Sequence, residues 1–349
     1  MNQNNPTELD GIEFVEFASP DPDALHRLFL DFGFSRIARH RTRDIDLYEQ
    51  NDIRFLLNRE ASSYGTTFAK AHGPSICSMA WRTKNAKNAL QTAALRGANV
   101  MHAADYTYRG VPLAAVQGIG GSLIYLMDQT DDPKRYEALG FIALESPDRV
   151  PSKGFLAIDH LTNNVTRGTM QVWADFYKGV FGFTEVRYFD IRGAKTGLVS
   201  YALRSPCGKF CIPINEATES ASQINEFIEE YNGPGIQHLA FLTDDILASL
   251  ASLDGSRVSF LDIDEEYYRT IWDRVPGVTE NREEIAERAV LVDGDEEGYL
   301  LQIFTKPIVG PIFIEIIQRK NHLSFGEGNF GALFRSIERD QEKRGVLSA

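Results

Sequence analysis

The sequence predicts an α+β fold made of four βαβββ-type modules, paired into two domains and followed by one extra helix. Three observations carry that prediction. A chain of 349 residues is too long for one ordinary core and suits two domains of roughly 150 to 200 residues each. The segment Gly73-Pro74-Ser75-Ile76-Cys77-Ser78-Met79-Ala80-Trp81-Arg82-Thr83 aligns without a gap on Gly233-Pro234-Gly235-Ile236-Gln237-His238-Leu239-Ala240-Phe241-Leu242-Thr243. Each half also contains a Phe-Gly-Phe sequence, at 32–34 and 181–183, where an amphipathic helix gives way to strands.

In chain order, a strand over 12–17 leads into a helix over 22–32, then strands over 35–40, 45–50 and 53–57. The second half repeats this with a strand over 158–163, a helix over 170–180 and strands over 185–190, 198–203 and 210–214. Gly33 and Gly182 fall where a helix end favours a residue that tolerates left-handed geometry. Each half then repeats the theme, with a helix over 86–96 matched by one over 246–253. One helix cannot cover both faces of a small sheet, so modules must close in pairs around shared interiors. The first domain is expected over 1–133, ending in the turn after Asp128; 134–153 reads as a connector and 154–349 as the second domain. After the Gly-rich segment 325–329, Phe330, Leu333, Phe334 and Ile337 recur at helical i, i+3, i+4, i+7 spacing. A lid helix over about 329–344, capped by Asn329, follows from that stripe.

Composition narrows the function classes. A hydrophobic content of 43% is that of a globular protein, and no apolar run approaches the ~20 residues needed to span a bilayer. The polar, acidic start lacks a basic-then-apolar signal, so a cytoplasmic location is expected. The formal charge of −13, from 36 Lys and Arg against 49 Asp and Glu, argues against a nucleic-acid or anionic-membrane partner. Cys77, Cys207 and Cys211 cannot all pair, and a reducing compartment accounts for them without disulfides. Cys207 and Cys211 have no second ligand pair nearby for a zinc site.

The chemistry-bearing residues are His160, His238 and Glu315, each inside a short apolar strand and at near-equal spacing. A buried imidazole or carboxylate without a partner costs several kcal/mol, and one metal ion satisfies all three. In the first half, Phe14, Ser78 and Tyr125 stand at the corresponding places, so that domain is expected to be metal-free. His26, His40, His72 and His102 lie in that half and His322 in a polar turn, where an ordinary structural role suffices. Two imidazoles and a carboxylate on separate strands match the facial triad of non-haem Fe(II) oxygenases. Zinc hydrolases usually carry both histidines on one helix as His-Glu-x-x-His, which is absent. Iron is therefore expected over zinc.

The motifs Asp159-His160, Gly235-Ile236-Gln237-His238-Leu239-Ala240, Leu301-Gln302-Ile303-Phe304-Thr305-Lys306-Pro307, Phe313-Ile314-Glu315-Ile316-Ile317-Gln318-Arg319 and Gly328-Asn329-Phe330 together resemble the 4-hydroxyphenylpyruvate dioxygenase family. The resemblance covers the second domain closely and the first in outline. It implies a vicinal-oxygen-chelate fold and an Fe(II) enzyme of tyrosine and phenylalanine catabolism, converting 4-hydroxyphenylpyruvate and O2 to homogentisate and CO2. Because the substrate is itself a 2-oxo acid, no separate 2-oxoglutarate is needed. The resemblance further implies a homodimer or homotetramer, with His160, His238 and Glu315 as iron ligands. The implied substrate pocket comprises Ser200, Asn215, Gln223, Gln237, Gln302, Phe304, Phe313, Phe325, Asn329 and Phe330. Aromatic walls with a few amides suit a phenol ring.

Three other readings share the fold. Hydroxymandelate synthase uses the same triad and substrate but hydroxylates the benzylic carbon. An extradiol ring-cleaving dioxygenase needs further acid-base residues such as a pocket His. A non-catalytic binding protein is expected to lack the triad. Fold alone decides none of them.

Overall fold

The computed structural model describes residues 4–102, 105–129, 132, 134–192, 197–219 and 222–343. Parts of the turn expected to end the first domain, residues 130, 131 and 133, and the expected last helical residue, 344, lie outside the described residues. Among the described residues the strands form a nine-stranded sheet, an eight-stranded sheet and a small two-stranded ribbon.

Four βαβββ modules are present. The first runs through Leu9–Ala18, helix Pro22–Asp31, and strands Ser35–His40, Ile45–Gln50 and Ile53–Asn58. The second runs through Ser75–Thr83, helix Ala86–Leu95, and strands Val100–Met101, Ala115–Gln117 and Leu123–Asp128. The third comprises Phe155–Val165, helix Met170–Phe176, and strands Thr184–Arg192, Gly197–Arg204 and Cys211–Ala217. The fourth comprises Gly235–Thr243, helix Ile246–Leu253, and strands Leu291–Gly294, Tyr299–Phe304 and Phe313–Lys320. Local chemistry explains the boundaries: Asp21 caps the first helix by accepting from the Ala24 amide, with Pro22 in its first turn. Gly33 and Gly182 follow at φ 81° and 80°, the left-handed geometry that a β-carbon disfavours. The third helix does not continue regularly to 180; its last turn, Tyr177–Phe181, widens to a π-helical turn.

Strand alternation sends successive side chains to opposite faces. In the first half Phe14, Ala80 and Tyr125 face one cluster, while Val15, Trp81 and Leu126 face the core shared between the halves. The Phe-Gly-Phe corners build that shared core reciprocally. Phe32 and Phe34 pack on Phe241, with ring centroids 5.9 and 5.5 Å apart. Phe181 and Phe183 pack on Trp81, at 4.9 and 5.7 Å. Trp81 and Phe241 are the aligned residues of the gapless repeat. Trp81 is fully buried, so Trp81→Ala is expected to cost about 3–5 kcal/mol, measured as a lower urea midpoint; a loss below about 1 kcal/mol would show that the corner does not join the halves.

Two regions depart from the sequence reading. The segment 134–153 is more than a connector: it contains helix Arg135–Ala138 and strand Phe141–Asp148, which adds to the edge of the first sheet beside Ser35–His40. Its exposed positions obscure a strand signal, because an edge strand buries few side chains. An insertion after Ile246–Leu253 adds helices Glu265–Arg274 and Arg282–Glu287. This insertion holds the C-terminal helix Phe330–Lys343: Ser336 donates to the Asp262 carbonyl at 2.6 Å, and Arg339 pairs with Asp264 at 2.5 Å. No helix among the described residues is long and apolar enough to cross a membrane.

Candidate metal centre and substrate cavity

The Phe155–Val165, Gly235–Thr243 and Phe313–Lys320 strands are neighbours in that order. His160 and Glu315 both pair with Ala240, from its two sides, and His238 pairs with Thr162 one step along. Ala240 between the two ligand positions contributes only a methyl group, which leaves space above it. The first sheet has the same registers: Phe14 and Tyr125 flank Ala80, and Ser78 pairs with Glu16. Where the second half offers ligands, the first half is closed by a hydrogen-bonded cluster. Buried Glu16 accepts from Ser78, Tyr106 and Asn58, and burial pushes its pKa up against those three bonds.

In the second half three donor atoms converge. His160 Nε2 lies 3.2 Å from His238 Nε2 and 3.1 Å from Glu315 Oε2, and His238 Nε2 lies 3.3 Å from the same oxygen. All three side chains are buried. The other imidazole nitrogens are occupied: His160 Nδ1 donates to Asp159 at 2.8 Å and His238 Nδ1 to the Gln237 side-chain oxygen at 3.0 Å. With hydrogen on both Nδ1 atoms, both Nε2 atoms and the Glu315 carboxylate face one point, where positive charge is favoured: a proton on His160 in the metal-free protein, or one metal ion in its place. Bonds of about 2.1 Å from N and O donors, meeting at right angles, require donors about 3.0 Å apart, so this set fits one ion.

The electrostatics agree. Burial opposes the charged form of His160, yet Glu315 and Asp159 together raise its pKa to about 9. Burial likewise opposes the Glu315 carboxylate, but the two imidazoles hold it down to about 2. His238 is lowered, chiefly by burial. Among the described residues this is the one group of three His, Cys, Asp or Glu side chains close enough to share an ion.

The triad opens into a mainly apolar cavity with a few polar groups in its wall, the usual character of small-molecule sites. Phe304, Phe313, Phe325 and Phe330 supply rings to it, and Ser200, Asn215, Gln223, Gln237 and Gln302 supply polar groups. Phe313 stacks on the His238 ring at 4.8 Å and 20°, so one side chain both packs against that imidazole and walls the cavity. Asn329 departs from the expectation. It neither lines the cavity nor caps the helix: it donates to Gln302 at 3.1 Å and accepts from Tyr267 and Arg274. Its position at the end of the turn Glu327–Asn329 aims it behind Gln302, where it sets that amide's orientation.

Sequence reasoning missed part of the wall. Phe189 and Ile191, Leu198 and Ala202, and Pro213 also line the cavity. Period-two alternation outward from Ser200 and Asn215 is the signal that finds Leu198, Ala202 and Pro213, whereas Phe189 and Ile191 enter through pairing of the neighbouring strand with Ser200 and Leu198. Leu333, Phe334 and Ile337 complete the wall from the C-terminal helix. Among the described lining residues His160 and His238 are the only histidines.

Comparison with known proteins adds an independent line. Residues 3–141 match the family model described as hydroxyphenylpyruvate dioxygenase, N-terminal, and residues 157–301 match that of the glyoxalase/bleomycin resistance protein/dioxygenase superfamily. A 4-hydroxyphenylpyruvate dioxygenase from Legionella pneumophila subsp. pneumophila is 46% identical over 99% of both chains. The chain belongs to the 4-hydroxyphenylpyruvate dioxygenase family. Its fold is accordingly the vicinal-oxygen-chelate type. Protein MelA of Shewanella colwelliana is 56% identical, again over 99% of both chains. A solved mutant of 4-hydroxymandelate synthase from Streptomyces coelicolor superposes with a TM-score of 0.81 at 26% identity, covering 95% of this chain and 99% of that one. Membership in the 4-hydroxyphenylpyruvate dioxygenase family implies a bound metal, O2 and a small-molecule substrate, and the His160–His238–Glu315 group is able to hold the metal.

Proposed function

We propose that the protein is an Fe(II)-dependent dioxygenase that converts 4-hydroxyphenylpyruvate and O2 to homogentisate and CO2 by oxidative decarboxylation, ring hydroxylation and side-chain migration. The observation that supports this most strongly is the convergence of His160, His238 and Glu315 at one end of an aromatic cavity, in a chain of this family. His160, His238 and Glu315 would hold Fe(II), which would supply the O2 activation that no side chain here provides.

The protein's own residues bind, orient and exclude water. Phe304 and Phe313, 6.0 Å apart and 77° tilted, give the phenol ring two flat surfaces. Asn215, Gln237 and Gln302 offer amides to its polar ends, and Ser200 a hydroxyl. Asn215 donates to Gln237 at 3.4 Å, which links the polar wall to the amide that orients His238. Phe325, Phe330 and the C-terminal helix close the cavity from solvent, where excluded water strengthens each polar contact.

The test is anaerobic loading with Fe(II), addition of 4-hydroxyphenylpyruvate and O2, and identification of the product by mass and NMR. Homogentisate supports the proposal. Hydroxymandelate would favour the reaction named for the Streptomyces coelicolor neighbour, and absence of O2-dependent turnover would overturn the substrate assignment.

A further inference from the structure

A β-bulge marks the strand that carries His160. Ile158 pairs with Phe241 and His160 with the next residue, Ala240, so Asp159 is extra in the register. Bulges re-aim side chains and gather beside active sites. Here the bulge brings Asp159 Oδ1 to 2.8 Å from His160 Nδ1, although neighbours in a regular strand point to opposite faces.

The bulge itself belongs to the repeat. In the first half Ile12 pairs with Trp81 and Phe14 with Ala80, so Glu13 is the extra residue there. Glu13 is taken up by Arg82 at 2.6 Å and Arg135 at 2.7 Å, beside a phenylalanine at the ligand position. The second half turns the same feature onto an imidazole.

Arg319 completes the arrangement from the Glu315 strand. Its Nε donates to Asp159 Oδ2 and its Nη2 to Oδ1, both at 2.8 Å. Its Nη1 donates to the carbonyls of His322 at 3.1 Å and Ser324 at 2.6 Å. Four of the five guanidinium hydrogens are thereby used. The next residue, Phe325, has its ring 5.8 Å from the guanidinium and 5.6 Å from the His160 ring, and it walls the cavity. Asp159 and Arg319 side chains are 12% and 13% exposed. At that burial, desolvation offsets much of the attraction, so orientation is the larger contribution of the pair.

We propose that Asp159 and Arg319 are positioning residues that assemble the metal site and the cavity wall as one unit. Asp159 holds the His160 ring with its Nε2 lone pair aimed at the ion, and Arg319 ties that carboxylate to the 322–325 segment leading to the C-terminal helix. The inference rests on reading His160, His238 and Glu315 as metal ligands.

The test uses the full chain, stripped of metal and titrated anaerobically with Fe(II) or Co(II) against a competing chelator. Asp159→Asn preserves size and is expected to weaken metal binding 10- to 100-fold and to change the visible spectrum of the Co(II) form. It is also expected to speed amide hydrogen exchange in 322–329, residues it reaches through Arg319 and through the His160 ring beside Phe325. Arg319→Lys retains a positive charge, but one ammonium cannot serve both the carboxylate and two carbonyls; it should show the same two effects and carries the test if circular dichroism shows Asp159→Asn to be misfolded. Wild-type affinity with unchanged exchange, while Glu315→Gln fails to bind metal, overturns this inference alone. Wild-type affinity in Glu315→Gln overturns the ligand reading and this inference with it.

Discussion

Glu315→Gln is expected to leave a folded protein that binds almost no Fe(II) and turns over at least about 1000-fold more slowly. The substitution keeps the side chain's size but removes the single negative charge from the three-donor cluster. A unit charge pair about 3 Å apart interacts by roughly 5 kcal/mol at an effective dielectric near 20, which is more than three decades in a binding constant. Metal content after dialysis and the rate of O2 consumption measure the two losses. Without metal, His160 is held protonated against the Glu315 carboxylate, so the metal-free variant loses a buried ion pair and its thermal midpoint should fall below that of the metal-free parent. The upward shift on adding Fe(II), expected of a ligand that binds only the native state, should vanish. Metal content and turnover both at wild-type level would refute the triad.

The repeat was legible because β-strand register is strict: a one-residue slip would exchange the two faces of a strand. Aligning 73–83 with 233–243 therefore also aligned faces, and Ser78, Phe14 and Tyr125 do occupy in the first sheet the registers of His238, His160 and Glu315 in the second. The sequence could not show what fills the first half's interior, because Glu16 meets Ser78, Asn58 and Tyr106 across long stretches of chain. For the same reason Asn329 reads as a cap or a pocket residue, whereas its partners Tyr267, Arg274 and Gln302 lie on an insertion and a strand that only the fold brings near. Asp159 was visible as the neighbour of His160, but alternation would have sent it to the other face. Only the bulge reverses that. The helices at 265–287 are masked by their charge, since Glu265–Arg274 fully buries only Tyr267 and Ile271.

Removing Asn329 to Ala349 is expected to lower turnover by on the order of 100-fold, the scale at which small misplacements act in catalysis, while bound Fe(II) stays near the wild-type level. The triad lies on three paired strands and takes no ligand from the C-terminal helix. The cavity depends on that helix. Phe330, Leu333, Phe334 and Ile337 all line it, Phe330 meets Phe189 edge-on at 5.3 Å, and Phe334 joins the cluster of Phe189, Ile191, Leu198 and Ala202. Without them that wall faces water. The junction before the helix is tightly packed: Gly326 has φ 77°, and a β-carbon there would strike the Gln302 side chain, so only glycine lets the chain pass close to that amide. The opposite end is anchored by Arg339 on Asp264 and Ser336 on the Asp262 carbonyl. The near end is held by Asn329 on Gln302, Tyr267 and Arg274, so the helix is fastened at both ends as a cover over the cavity, and a gating role requires those bonds to release for substrate entry. Leu333→Asp tests the same face without truncation, because it sets a charge against the apolar wall and disfavours closure. Both variants should lose turnover together while metal content holds; unchanged turnover in the truncated chain would refute the lid, and loss of metal in both would show instead that the helix supports the triad itself.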